Sequence, residues 1–274
     1  MEIIVLIPIY KELPDKDEEQ SLKQAFKVLS QYKICFICPD GLDLTEYKKI
    51  IKNKQIYTER FSTHFFKSTA SYSNLLVTNN FYKRFSAYDY CLIYQLDAWV
   101  FYDNLKDWCE KGYDYIGAPW FENYKTKEEG ANLWRVGNGG LSLRKIEYFL
   151  KITDKKQTLY SFKSFLYKYF GTITDLKKGI SLLMYRNFAW YRKRKKYFWE
   201  DVYFCELNYN FNTPEPRLAA EFSFEKSPAF LYTLINKLPF GCHAWRKNQY
   251  EEFWKYYIPR IQDNNISKKH ENIY

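Results

Sequence analysis

Tyr90–Asp97 reads Tyr-Cys-Leu-Ile-Tyr-Gln-Leu-Asp, an apolar run that ends on a carboxylate. A short, continuous apolar stretch without polar alternation is the pattern of a strand buried on both faces. Two upstream stretches are of the same kind. Ile3–Ile9 (IIVLIPI) is rich in β-branched residues and is stopped by Pro8, and Ile34–Cys38 (ICFIC) is stopped by Pro39-Asp40-Gly41. Between these runs the apolar spacing becomes helical, over Ser21–Tyr32, Leu44–Ile51 and Tyr72–Phe85, with Lys54–Phe61 as a further strand. Strands alternating with helices predict an α/β fold, a mixed but mostly parallel sheet flanked by helices. In such sheets ligands bind beyond the carboxyl ends of the strands, and Asp97 falls at one.

Further along, Asp103–Lys111 reads as a short helix stopped by Gly112, and Tyr113–Ala118 as a strand. Glu122–Ala131 is a polar loop. Val136–Leu143 carries Gly-Asn-Gly-Gly before a strand or helix start, and Lys145–Ile152 and Trp199–Phe204 have helical spacing. Pro214-Glu215-Pro216 breaks the chain. Ala219–Phe224 reads as a strand, Pro239–Trp245 as a turn or strand end, and Tyr250–Ile258 as a helix. With no internal repeat and no Gly/Ser-rich linker, one domain over residues 1–262 is expected. A basic aromatic insertion is expected near 155–199 and a polar tail over 263–274.

Composition sets outer limits. Of 274 residues, 46% are hydrophobic and 27% charged, which suits a folded soluble chain and excludes a disordered one. Aromatics reach 21%. Codon bias accounts for such a value, and so does a core opening onto a groove for bases or sugars. The formal net charge is +10, and Leu176–Trp199 holds eight Lys or Arg and no acid. Such a run is a solvated loop or a surface for phosphate, nucleic acid or anionic lipid. Cys35 and Cys38 form a C-x-x-C inside a strand with no second pair, which favours buried thiols of a reducing cytoplasm over zinc. The start has no basic region or cleavage-site pattern, and no run approaches 18 apolar residues, so neither a signal peptide nor a membrane span is expected.

Four segments could carry chemistry, and each leaves a plainer reading open. Asp97 in YQLDAW is either a ligand for a divalent cation and a diphosphate or the cap of a following helix. Glu200-Asp201 is either a general base beside an aromatic wall or a first-turn partner of a helix dipole. His243 in LPFGCHAW is either a metal ligand or a core histidine. The glycines of Arg135–Arg144 either admit a ligand to the backbone or make a turn. The segment is neither G-x-G-x-x-G nor a Walker loop, which disfavours dinucleotide and P-loop chemistry.

Together YQLDAW (94–99), YDYIGAPW (113–120), VGNGGLSLR (136–144), EDV (200–202), FSFE (222–225) and LPFGCHAW (238–245) resemble a family of bacterial glycosyltransferases of unknown specificity with a GT-A-like, Rossmann-related fold. The resemblance covers roughly residues 70–255, and implies a nucleotide-binding half of about 1–120 and an acceptor-binding half of about 121–262. It implies that Asp97 corresponds to the second carboxylate of an Asp-x-Asp motif holding Mn²⁺ or Mg²⁺ against a diphosphate. Gln95 stands where the first carboxylate would be, which weakens any strict metal requirement. It further implies that His243 adds a metal ligand and that Asp201, with Glu200 beside it, is the catalytic base of an inverting enzyme. Gln95, Asp97, Trp120, Asn138, Gly139 and Gly140 would line the donor.

The function expected is transfer of a hexose from a UDP-sugar or similar nucleotide-sugar donor to a glycan or lipid-linked glycan in surface polysaccharide assembly. The setting would be the cytoplasm, with an anionic membrane surface as a further partner. A retaining transferase or a nucleotidyltransferase on the same fold stays open. So does a basic nucleic-acid-binding protein, although the charge sits in one segment and no RNA or DNA motif is present.

Overall fold

Strand β1 (Ile3–Pro8) lies at the middle of the molecule, and every one of its residues is buried. It pairs in parallel with β2 (Lys33–Pro39) on one side and β4 (Tyr90–Tyr94) on the other, and β2 pairs in parallel with β3 (Tyr57–Phe61). Beyond β4 the direction reverses: β9 (Leu141–Lys145) runs antiparallel to β4 and to the short β6 (Tyr115–Ile116). The six-stranded order is β3-β2-β1-β4-β9-β6. This is the mixed, mostly parallel α/β sheet that the apolar runs predict. The computed structural model describes residues 1–52, 54–154, 199–206 and 211–259, with residues 180 and 184. The expected insertion and tail lie almost wholly outside the described residues.

Helices cover both faces. On one, Leu22 and Phe26 of α1 (Lys16–Val28), Tyr47 of α2 (Thr45–Ile50) and Trp108 of α5 (Leu105–Glu110) pack with Val5, Phe36 and Leu92. On the other, Leu75 of α3 (Thr69–Leu76), Phe81 of α4 (Asn79–Lys83) and Phe149 of α6 (Ile146–Thr153) pack with Leu6, Ile37 and Ile93, and Phe204 of α7 (Glu200–Glu206) joins them. Cys35 and Cys38 fall on opposite faces of the sheet, which rules out a shared ion; both are free and buried. Among the described residues no helix is long and apolar enough to cross a membrane.

Several boundaries differ from the sequence pattern. The helix expected over Tyr72–Phe85 is two helices, because Thr78 takes extended backbone and its side chain caps the Phe81 N–H. Ala219–Phe224 is not a strand. Pro216 opens a helix, α8 (Pro216–Phe222), followed by the short strand β10 (Ser223–Phe224). Proline's fixed φ and missing N–H suit the first helical position, so the chain break is also a helix start. The C-terminal helix shortens to Glu251–Trp254. Helix α9 (Pro228–Ile235) lies where the apolar pattern gives no element.

A second sheet sets the active end. Past β4 the chain turns through Asp97 into β5 (Ala98–Val100), which pairs with β11 (Gly241–His243), itself paired with β10. Trp99, Phe224, Trp245 and Trp254 form its aromatic core. The antiparallel pair β7 (Ala118–Phe121) and β8 (Leu133–Gly137) carries the chain back to Asn138.

Candidate active site

Register places the site. His243 is the β11 partner of Ala98, one residue past Asp97, and Leu141 is the β9 partner of Tyr94. The turn Asn138–Gly140 therefore lies beside the carboxyl end of β4, and the Gln95 N–H donates to the Gly140 carbonyl at 2.8 Å. Asn138 holds this turn with φ at +97°, while its Oδ1 accepts from the Gly140 N–H at 2.7 Å. Its carbonyl accepts from the Tyr115 hydroxyl at 2.6 Å. Its Nδ2 is buried with no hydrogen-bond partner.

The two glycines make room for two functional side chains. A Cβ on Gly139 would collide with the Glu200 carboxylate, and one on Gly140 would overlap the His243 ring at Nε2. Glu200 and His243 thus sit against consecutive residues of one turn. Trp120 is buried, its ring lying against Gly137; it packs under the turn.

His243 lies between two carboxylates. Its Nε2 is 3.2 Å from Asp97 Oδ1 and its Nδ1 is 3.4 Å from Glu225 Oε1. Burial opposes the charged form of all three, but their mutual attraction outweighs it. Asp97 is held down at about 2, with Coulombic attraction to His243 ahead of that to Arg246. Glu225 is lowered by the hydrogen bond and charge of His243, and His243 is pushed up to about 10 by Asp97 and then Glu225. Both ring nitrogens are nonetheless buried without a well-aligned hydrogen bond, so the contacts are close but misdirected.

A divalent cation would take the place of the Nε2 proton, which the imidazolium must lose to become a ligand. Two ligands each about 2.1 Å from one ion and at right angles lie about 3 Å apart, close to the separation of Asp97 Oδ1 and His243 Nε2. In that arrangement Glu225 Oε1, 3.4 Å from Nδ1, stands where the second partner that orients a ligating histidine is usually found. Among the described residues no group of three His, Cys, Asp or Glu side chains is arranged to hold an ion. Two protein donors completed by phosphate oxygens and water is how Mg²⁺-type sites are commonly built.

Glu200 and Asp201 have separate environments at the start of α7. Glu200 is 4% exposed, and both its oxygens are engaged: Oε1 accepts from Arg144 Nη2 at 2.8 Å and Oε2 from Ser73 Oγ at 2.9 Å. Arg144 is wholly buried and also donates to the Tyr82 hydroxyl and to Ser142 Oγ. Asp201 is half-buried. Burial first, then the charges of Glu200 and Glu225, push its carboxyl up to about 7. Among the described residues Asp201 accepts from the next backbone N–H, of Val202, at 2.8 Å.

Glu225, Arg144 and Ser73 are the residues that local reading leaves without a role. Glu225 and Arg144 end the motifs FSFE and VGNGGLSLR. A charged residue closing an apolar strand, as Arg144 closes Leu141–Leu143, is the available signal. On the facing wall, past the end of β1, Arg246 pairs with Asp15 at 2.8 Å and Lys11 with the buried Glu18 at 2.7 Å.

A family model described as "Protein of unknown function (DUF5672)" matches residues 55–243. No curated protein matches the chain. Among solved structures, the galactosyltransferase LgtC in complex with donor and acceptor sugar analogs is 11% identical at a TM-score of 0.48, covering 95% of this chain and 98% of that one. The glycosyltransferase GlyE of Streptococcus pneumoniae TIGR4 is 14% identical at 0.44, covering 93% of this chain and 60% of that one. Core-mannan synthase A of Aspergillus fumigatus, in its Mn/GDP form, is 11% identical at 0.41, covering 54% of this chain and 60% of that one. The chain spans less than two thirds of the length of the last two.

Proposed function

The chain belongs to the DUF5672 family, and from that premise we propose that it is a glycosyltransferase that uses a nucleotide-sugar donor and inverts the anomeric centre. The observation that carries this reading is the convergence of Asp97, His243 and Glu225 on one side of the Gly139-Gly140 turn with Glu200-Asp201 on the other. All of it lies beyond the carboxyl end of β4, where α/β sheets bind ligands.

In this mechanism Asp97 and His243 would hold Mn²⁺ or Mg²⁺, which supplies stabilisation of the negative charge that grows on the leaving diphosphate. Glu225, 3.4 Å from Nδ1, would orient the His243 ring as a carboxylate behind a ligating histidine does. Gln95, Asn138, Gly139 and Gly140 would line the donor, with the unpartnered Asn138 Nδ2 beneath the surface of the turn, and Trp120 supports the turn from below. Asp201 removes the proton of the acceptor hydroxyl as that oxygen bonds to the anomeric carbon and the sugar–phosphate bond breaks. A carboxyl raised to about 7 is matched to this task near neutral pH. Glu200, both oxygens engaged, serves by holding Asp201 in place. The donor is taken to be a UDP-hexose and the acceptor a glycan or lipid-linked glycan of surface polysaccharide, reached by a cytoplasmic enzyme resting on an anionic membrane. Residues 1–120 would then serve the nucleotide and 121–262 the acceptor.

A thermal-shift and hydrolysis screen of nucleoside diphosphates and their sugars, with and without Mn²⁺, tests the proposal. At least one sugar nucleotide is expected to stabilise the protein in a Mn²⁺-dependent way and to be slowly hydrolysed. Asp97→Asn is expected to remove both effects. Stabilisation by none of them would overturn the proposal.

A further inference from the structure

Three residues past Glu225, at Pro228, the chain enters the wall of a groove of about 570 Å³ that no step of the mechanism uses. That volume lies within the range of small-ligand sites. One wall is aromatic: Tyr250, Phe253, Tyr256 and Tyr257, with Tyr256 left 76% exposed. Tyr232 stands behind them, its ring centroid 5.9 Å from Phe253 and 5.7 Å from Tyr257, so the wall is propped by packing. The opposite wall comes from Thr126 and Glu128, in the loop that follows β7 and Trp120.

The polar groups of the groove are few and incompletely satisfied. Tyr250 is 7% exposed, and its hydroxyl is buried without a hydrogen bond of acceptable geometry, although the Ser227 N–H and the Gln249 side chain lie beside it. A buried phenol with converging but unengaged neighbours is costly unless something completes the set. Glu128 accepts from Ser227 Oγ at 2.5 Å and Glu252 pairs with Lys255. Glu128 is hydrogen-bonded and Glu252 is ion-paired, and among the described residues no Lys or Arg lines the groove to meet a phosphate, Lys255 Nζ lying 5.2 Å from the Tyr256 ring centroid.

We propose that this groove binds a neutral sugar ring of the acceptor glycan. A pyranose has an apolar C–H face and a rim of hydroxyls. The face suits exposed Tyr256 and Phe253, and the rim suits the Tyr250 hydroxyl, the Gln249 amide and Glu128. The word acceptor rests on the transferase reading; sugar binding itself does not. Glu225, which faces His243, also acts electrostatically on Tyr250, so the groove neighbours the His243 site.

Saturation-transfer NMR on the full chain, with neutral oligosaccharides of glucose, galactose, mannose and N-acetylglucosamine, decides the matter. At least one is expected to receive saturation at its ring C–H protons. Tyr256→Ala, at a highly exposed position, is expected to keep the wild-type melting temperature and to bind that sugar about fivefold or more weakly, a loss of about 1 kcal/mol. Asp97→Asn is expected to bind it as the wild type does. Saturation of none of the sugars, equal binding by Tyr256→Ala, or displacement by tetramethylammonium, which would make the groove a cation cage, overturns the proposal. Sugar binding without any response to sugar nucleotides would leave the groove standing and remove the transferase reading instead.

Discussion

Glu200 and Asp201 are adjacent in the chain, yet their surroundings give them opposite work. Glu200 neutralises Arg144 inside the core, and removing one member of such a pair leaves a buried charge uncompensated, at a cost of about 3–5 kcal/mol. Among the described residues Asp201 has no comparable partner, and burial with two neighbouring carboxylates holds its proton until about pH 7. A carboxyl whose folded pKa is raised binds more protons in the native state than in the unfolded one. Stability attributable to it is therefore full at acid pH and is lost as pH rises from about 4 to about 7. Asp201→Asn is accordingly expected to abolish transfer, leave nucleotide binding intact, and raise the melting temperature at pH 8, the gain fading towards pH 4. In the wild type kcat/KM should rise with pH through about 7. Glu200→Gln is expected instead to unfold in less urea at every pH where the wild type is folded. Wild-type turnover by the Asp201 variant would make that residue structural and remove the inverting mechanism.

At the scale of elements, the turn between β8 and β9 couples the two halves of the site, because its consecutive glycines face different partners. Gly139→Ala strikes Glu200 and should cost about 1–3 kcal/mol through overpacking. Gly140→Ala strikes His243 and should chiefly weaken the Mn²⁺-dependent response to nucleotides, read by titrating Mn²⁺ in the thermal-shift assay. Equal effects of the two on stability and on Mn²⁺ response would mean that the turn acts only as a spacer. This coupling was partly legible in the sequence. The apolar runs of β1, β2 and β4 announce themselves, since strands buried on both faces need no alternation, and Asp97 stands out as a carboxylate at such an end. Elements whose residues fit two periods were not: Ala219–Phe224 is too short to separate helix from strand, and only Pro216 at the first helical position distinguishes them. The pairing of β5 with β11, which brings His243 to Asp97, joins segments far apart in sequence. No local pattern encodes it, and the family resemblance was what suggested that the two residues meet. Glu225 had a signal only as the end of the FSFE motif and Ser73 had none beyond its residue type, because their roles exist only once α3, α7 and β11 converge.

For the whole molecule the governing quantity is charge. Most of the net +10 can be traced to the run from Lys177 to Lys196, which has eight cations and no acid and lies almost wholly outside the described residues. The paired acids and bases around the cleft, such as Arg246 with Asp15, nearly balance one another. A concentrated positive segment repels itself and needs counter-ions, and an anionic lipid surface supplies them at about 1 kcal/mol for each Lys or Arg near it. Phe188, Trp190, Tyr191, Tyr197 and Phe198 are interleaved with these cations, and aromatic side chains favour the headgroup level of a bilayer. The chain is therefore expected to float with vesicles containing phosphatidylserine, to ignore neutral phosphatidylcholine vesicles, and to be released as salt shortens the Debye length from about 10 Å at 0.1 M to about 3 Å at 1 M. A variant with Arg192–Lys196 changed to Ser or Gln should remain in solution while responding to sugar nucleotides as the wild type does. Random-sequence RNA that binds the wild type as tightly as the vesicles do, and competes with them, would show a general polyanion surface. Flotation of the variant equal to that of the wild type would remove the membrane from the account and leave the chemistry at Asp97 and Asp201 untouched.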